Sequence, residues 1–114
     1  MTQKNKQPIE MVRGTTYAVV VSVHDDDGNL RPLEEGELLI FGVKTNVNNS
    51  ECCIEKILTE GTGEYVFHLS PEDTENLACG RMCYDVGLQS GEDYYTVVPC
   101  SPFVLTHRVT KRKV

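Results

Sequence analysis

No tryptophan occurs in this 114-residue chain, and aromatic residues make up only 7% of it. The first absence excludes the cysteine–tryptophan–cysteine core of antibody domains. Long apolar runs are missing too. The stretch TYAVVVSV falls far short of the roughly 20 residues that a membrane-spanning helix needs. The N-terminus, MTQKNKQP, is polar and basic with no apolar stretch behind it, so neither a secretory signal nor a membrane contact is expected. The chain therefore reads as made in a cytoplasm.

Basic residues are scarce where they would matter for nucleic acid. Lys4, Lys6, Arg108, Lys111, Arg112 and Lys113 lie in the two tails, which leaves residues 7–107 with five basic against seventeen acidic side chains. Such a body repels a polyanion, and no nucleic-acid partner is expected. The tails have two readings. In the first they are solvated arms that improve solubility. In the second they reach an acidic partner surface, such as the next copy of the chain.

Catalytic chemistry is also thin. His24, His68 and His107 are the only histidines, none sits beside a nucleophile in a known motif, and no phosphate-cradling glycine loop or dinucleotide fingerprint occurs. No catalytic residue and no cofactor is expected. Cysteine is present in an odd number: Cys52, Cys53, Cys79, Cys83 and Cys100. An odd set does not suit a secreted disulfide scaffold, so free thiols are expected, mostly as small buried apolar groups. The close paired spacing of structural zinc sites is absent, and no metal is expected there. The acidic run Asp25-Asp26-Asp27-Gly28-Asn29 raises the question of calcium, but the EF-hand spacing would put Val23 at the first ligand position. Turn chemistry is the expectation.

What the chain does have is alternation. Tyr65, Phe67 and Leu69 alternate with Val66 and His68, then Ser70-Pro71-Glu72-Asp73 opens a helical turn. Leu77 anchors that turn, Gly80 is expected to end it, and Met82, Tyr84, Val86 and Leu88 alternate as the next strand. Around this corner stand other strands: Pro8–Val12, a long one with Tyr17, Val19, Val21 and Val23 inward, Glu37–Thr45, and Cys52–Thr59, where CIEKIL also fits one and a half helical turns. Tyr94–Val98 and Phe103–Thr106 close the series, separated by Pro99-Cys100-Ser101-Pro102 as a break. Seven or eight short strands with regular turn signals predict an all-β fold, an antiparallel β-sandwich of immunoglobulin-like plan with one short helical turn near residues 71–78. The domain would span residues 8–107, with a flexible basic tail at 1–7 and a basic tail at 108–114.

The order of signals resembles a known family. Arg13-Gly14-Thr15 precedes a long apolar strand, Asp27-Gly28 closes it, and Leu39-Ile40-Phe41-Gly42-Val43-Lys44 follows. Then come Leu69-Ser70-Pro71-Glu72-Asp73-Thr74 with Leu77, Gly80 and Tyr84-Asp85-Val86, and lastly Phe103 with Val109-Thr110. Together these resemble the N-terminal domain of phage baseplate upper proteins and related short tail-associated proteins of Gram-positive phages and prophages, over roughly residues 9–110. The run PEDTENLACGRMCYD carries most of the resemblance. Thr15 stands where the family often has aspartate, and Met82 where it often has an aromatic residue. The family's receptor-binding and connecting regions have no counterpart here. What the resemblance implies is a small β domain of the virion that packs against other tail or baseplate subunits. A small binding module, directed at carbohydrate, is the alternative.

Candidate interaction residues follow from both readings. Ala18 and Val20 make the outer row of the second strand unusually apolar, which suits a covered surface and a homo-oligomer or partner contact. Tyr94 and Tyr95 are the aromatic candidates for a sugar, although neighbours on one strand face opposite ways. Arg108, Lys111, Arg112 and Lys113 are the candidate electrostatic arm.

Overall fold

In a computed structural model that describes residues 7–113, seven strands and one short helix follow in the order β1 (Ile9–Val12), β2 (Tyr17–Ser22), β3 (Leu38–Lys44), β4 (Ile54–Leu58), β5 (Glu64–Leu69), α1 (Pro71–Glu75), β6 (Gly80–Ser90) and β7 (Asp93–Thr106). They form a five-stranded sheet in the order β1-β7-β6-β3-β4 and a separate two-stranded sheet, β2-β5. The fold is thus mostly β, as the alternation requires.

The alternation also places the core. Val19, Val21 and Val23 point inward from the β2 segment, Leu39, Phe41 and Val43 from β3, and Tyr65, Phe67 and Leu69 from β5. Met82, Tyr84, Val86 and Leu88 of β6 complete the same cluster with Phe103 and Leu105 of β7. Phe41 stacks on Phe67 with ring centroids 5.4 Å apart, so the rings bridge the two sheets, and Tyr84 tilts against Phe41 at 5.5 Å. Tyr17 packs against this cluster from a half-buried position.

Three expectations need correction. First, the sheets are not wholly antiparallel: β1 pairs parallel with β7, Ile9 opposite Phe103 through Val12 opposite Thr106. This pairing joins the two ends of the chain, so no hairpin chemistry sets its direction. Second, residues 94–98 and 103–106 belong to one strand. β7 runs through Pro99 and Pro102 with a shift in its β6 pairing between Tyr84 and Val86. Pro99 falls in the irregular stretch of the β6 ladder and Pro102 lies before the segment that β1 pairs with, the bulge and edge positions at which a strand tolerates proline. Third, the helix is shorter than 71–78. It ends at Glu75, where the Leu77 N–H donates to the Thr74 carbonyl at 3.0 Å. Gly80 has positive φ (+136°) but opens β6 instead of ending α1.

Turn chemistry fixes the remaining joints. Gly91 (φ +60°) and Glu92 join β6 to β7 as a two-residue hairpin, with positive φ at the first position only, the sign pattern of a type II′ turn. The acidic run is a turn as well. Asp25 Oδ1 accepts from the Asp27 N–H at 2.9 Å and the Asn29 N–H at 3.0 Å, which accounts for that carboxylate without a cation. At the start of α1, the Asp73 carboxylate accepts from the backbone N–H of Ser70 at 2.7 Å and from its hydroxyl at 3.2 Å.

The expected flexible tail at 1–7 lies, for residues 1–6, outside the described residues. Gln7 is tied to the domain. Its N–H donates to Ser101 Oγ at 3.1 Å, and its carbonyl accepts the hydroxyl of Tyr84, whose pKa burial pushes up to about 12.

Candidate functional site

The surface offers three regions where side chains could meet a ligand or partner. The first is the outer face of the β2-β5 sheet. Opposite their buried row, Ala18 and Val20 point outward as their register demands, and Val20 is 55% exposed. Val20 lies opposite Val66, and Ala18 opposite His68, which is exposed. Each strand of this pair has a ladder partner on one side only. The result is an apolar strip flanked by two open edges.

The second region joins the C-terminal segment to α1. Arg108 Nη1 donates to the Gly14 carbonyl at 2.6 Å, and its other amine lies 3.8 Å from Glu75. Arg112 pairs with Glu72 at 3.0 Å and approaches Glu75 at 3.7 Å. The Gly14 N–H donates in turn to Thr74 Oγ1 at 2.7 Å, and Thr74 is fully buried. Arg13 adds a bond to the Leu77 carbonyl at 3.3 Å. Two of the four cations proposed as an arm for a partner therefore face carboxylates of their own chain. A cavity of about 190 Å³ opens here beside Arg13, Glu75, Arg108 and Lys111. Lys113 is exposed.

The third region is the outer face of the five-stranded sheet. A cavity of about 270 Å³ is lined by Gly42, Lys44, Cys52, Cys83, Asp85 and Cys100, among others. Burial pushes the thiols of Cys52 and Cys83 up, so neither is an activated thiolate. Tyr94, 58% exposed, lays its phenol over Gly87 on this face, where any larger residue at 87 would displace it. Tyr95 stands opposite Leu88, a core residue, and is 38% exposed. The two tyrosines thus take opposite faces and form no common platform.

Sequence reasoning missed the most strongly held charged pair. The segment Arg31–Gly36 reads as a plain surface connection, yet Arg31 and Glu37 form a two-point ion pair at 2.8 and 2.7 Å. Glu37 is only 4% exposed. Its Oε1 also accepts the Glu34 N–H at 2.8 Å, and the Arg31 carbonyl accepts the Tyr65 hydroxyl at 2.8 Å. The Arg31 hydrogen bond, against the cost of burial, holds the Glu37 carboxyl down at about 2. A charge six residues from its partner across a Pro–Gly loop gives no periodic signal.

The five cysteines are free, but none is buried as expected: Cys53 and Cys100 are exposed and Cys52, Cys79 and Cys83 half-buried. Among the described residues no cluster of three or more histidine, cysteine, aspartate or glutamate side chains is placed to hold a metal ion, and no helix is long and apolar enough to cross a membrane. Compared with known proteins, the chain matches no protein-family model, no curated protein and no solved structure.

Proposed function

We propose that this chain is a non-enzymatic assembly module, a scaffold or adaptor of a phage or prophage tail or baseplate that acts through protein–protein contacts in the virion. The two sheets, closed over one core, read as an immunoglobulin-like β-sandwich in which the β2-β5 ribbon is the smaller layer. The observation that carries the proposal is the outer face of that ribbon. Val20 and Ala18 are exposed between two strands whose outer edges have no ladder partner. A neighbour that packs on this face covers the apolar strip, and the unpaired edges beside it can accept an added strand.

The family resemblance supplies the setting, and the acidic body argues against a nucleic-acid partner. Because Arg108 and Arg112 turn inward to α1, the apolar face is the better candidate for the contact than the basic arm. Light scattering coupled to gel filtration, at low and high salt, separates these two. Raising salt from about 0.1 M to about 1 M shortens the Debye length from about 10 Å to about 3 Å, which dissolves an electrostatic contact and spares an apolar one. Association that survives high salt supports the ribbon face. A strict monomer at high micromolar concentration that also refuses tail subunits expressed alongside it would remove the assembly role.

A further inference from the structure

The β6–β7 ladder is irregular where it crosses the third surface region. Cys83 lies opposite Pro102 and Tyr84 opposite Ser101, but Val86 lies opposite Val98. One residue of β6, Asp85, therefore faces two of β7, Pro99 and Cys100. The core side of this segment is taken by Tyr84, Val86, Val98 and Ser101, all buried. Cys83 and Cys100 are left on the outer side, where both line the cavity of about 270 Å³. Cys83 lies opposite Pro102, so Cys100, two residues before it, is its diagonal neighbour on this face, and the Cys83 thiol donates to the Lys44 carbonyl at 3.5 Å. Cys52 shares the cavity from the other side, packed over Gly42 of β3.

We propose that Cys83 and Cys100 are a reversible redox pair, a modification site at which a small-molecule disulfide such as oxidised glutathione installs a cross-strand disulfide. Cys100 is exposed and meets the oxidant; Cys83 is half-buried and resolves. In the first step the Cys100 thiolate attacks one sulfur of the oxidant, the oxidant's S–S bond breaks, and one thiol leaves with a proton. In the second the Cys83 thiolate attacks Cys100 Sγ, the mixed disulfide breaks, and the second thiol leaves. Two protons and two electrons pass from the protein to the oxidant, which is reduced to two thiols. The raised pKa of the Cys83 thiol makes the second step slow at neutral pH and faster as pH rises. The product links β6 to β7 at the point where their register shifts. Cys53, whose Sγ is bonded to the Val43 carbonyl at 3.3 Å, and Cys79, after α1, lie outside the cavity lining.

The test is to equilibrate the folded full-length chain in glutathione buffers of graded ratio, alkylate the remaining thiols, and map the peptides by mass. The expected result is loss of two of the five thiols, with a Cys83–Cys100 cross-linked peptide that reduced glutathione reverses. Cys83→Ser and Cys100→Ser should each abolish the cross-link, while Cys52→Ser retains it. Glutathione held on Cys100 with no internal bond, a bond that recruits Cys52, or a bond that forms only in urea would each overturn the proposal. Should a serine variant fail to fold, the wild-type map decides alone.

Discussion

Replacing Glu37 by glutamine removes the buried charge of an ion pair whose Arg31 is half-buried, and leaves its shape in place. Glu37 is 4% exposed, held by Arg31 at 2.7 and 2.8 Å and by the Glu34 N–H at 2.8 Å. Its carboxyl is held down at about 2 from an ordinary 4.5, chiefly by the Arg31 hydrogen bond and against the cost of burial. At 1.36 kcal/mol per pKa unit, that difference is worth about 3 kcal/mol of stability at neutral pH. The sign follows from linkage. A carboxylate whose folded pKa is depressed contributes fully above its unfolded pKa and loses that contribution as pH falls through the folded value. About 2 kcal/mol should be gone by about pH 3, and nearly all of it just below about pH 2. Urea unfolding of the wild type and of Glu37→Gln, run side by side from about pH 7 to about pH 2, reads this directly. The variant should be weaker by about 2–3 kcal/mol at neutral pH, since Arg31 then lacks its counter-charge. The gap should close on acidification, because glutamine does not titrate. Other carboxylates titrate in both proteins and cancel in the difference. Parallel curves, with a gap that stays constant to pH 2, would refute the reasoning.

Other consequences are simpler to read. Phe41→Ala opens the core between the sheets, where its ring meets both Phe67 and Tyr84, and should cost about 3–5 kcal/mol in chemical unfolding. Thr74→Val keeps the volume but strands the buried Gly14 N–H; a loss of about 1–3 kcal/mol is expected, and a neutral result would show that the loop finds another acceptor. The far-ultraviolet circular dichroism spectrum should be dominated by β structure, with α1 too short to contribute visibly.

Much of the fold was legible because strands with one buried face announce themselves by period two. Tyr17 to Val23, Leu39 to Val43, Tyr65 to Leu69 and Met82 to Leu88 all show it, and each row was buried where the alternation put it, Tyr17 half so. The hidden parts are those fixed by distant contacts. Nothing near Ile9 or Phe103 states that the two will pair in parallel, because their register depends on the whole chain between them. The prolines at 99 and 102 read as a break because local propensity cannot show which flank of a strand is open. The candidate surface divides the same way. Ala18 and Val20 were visible as an outer apolar row, whereas the inward turn of Arg108 and Arg112 needed α1 in place, and the placement of Cys83 and Cys100 on one face needed the β6–β7 register.

The exposed face of the β2-β5 ribbon is the centre of the functional account, and one substitution on it tests that account most directly. Val20→Glu places a charge at a position 55% exposed in the isolated chain, so the fold should be unaffected there. Wild type and variant are each expressed alone and together with phage tail or baseplate subunits, and the mass of every complex is measured by light scattering in about 1 M salt. The account predicts that the wild type forms a complex or self-associates, and that Val20→Glu, with an unchanged circular dichroism spectrum, stays a monomer of 12.8 kDa. A complex that the glutamate leaves intact, or a wild type that associates with nothing, would contradict it.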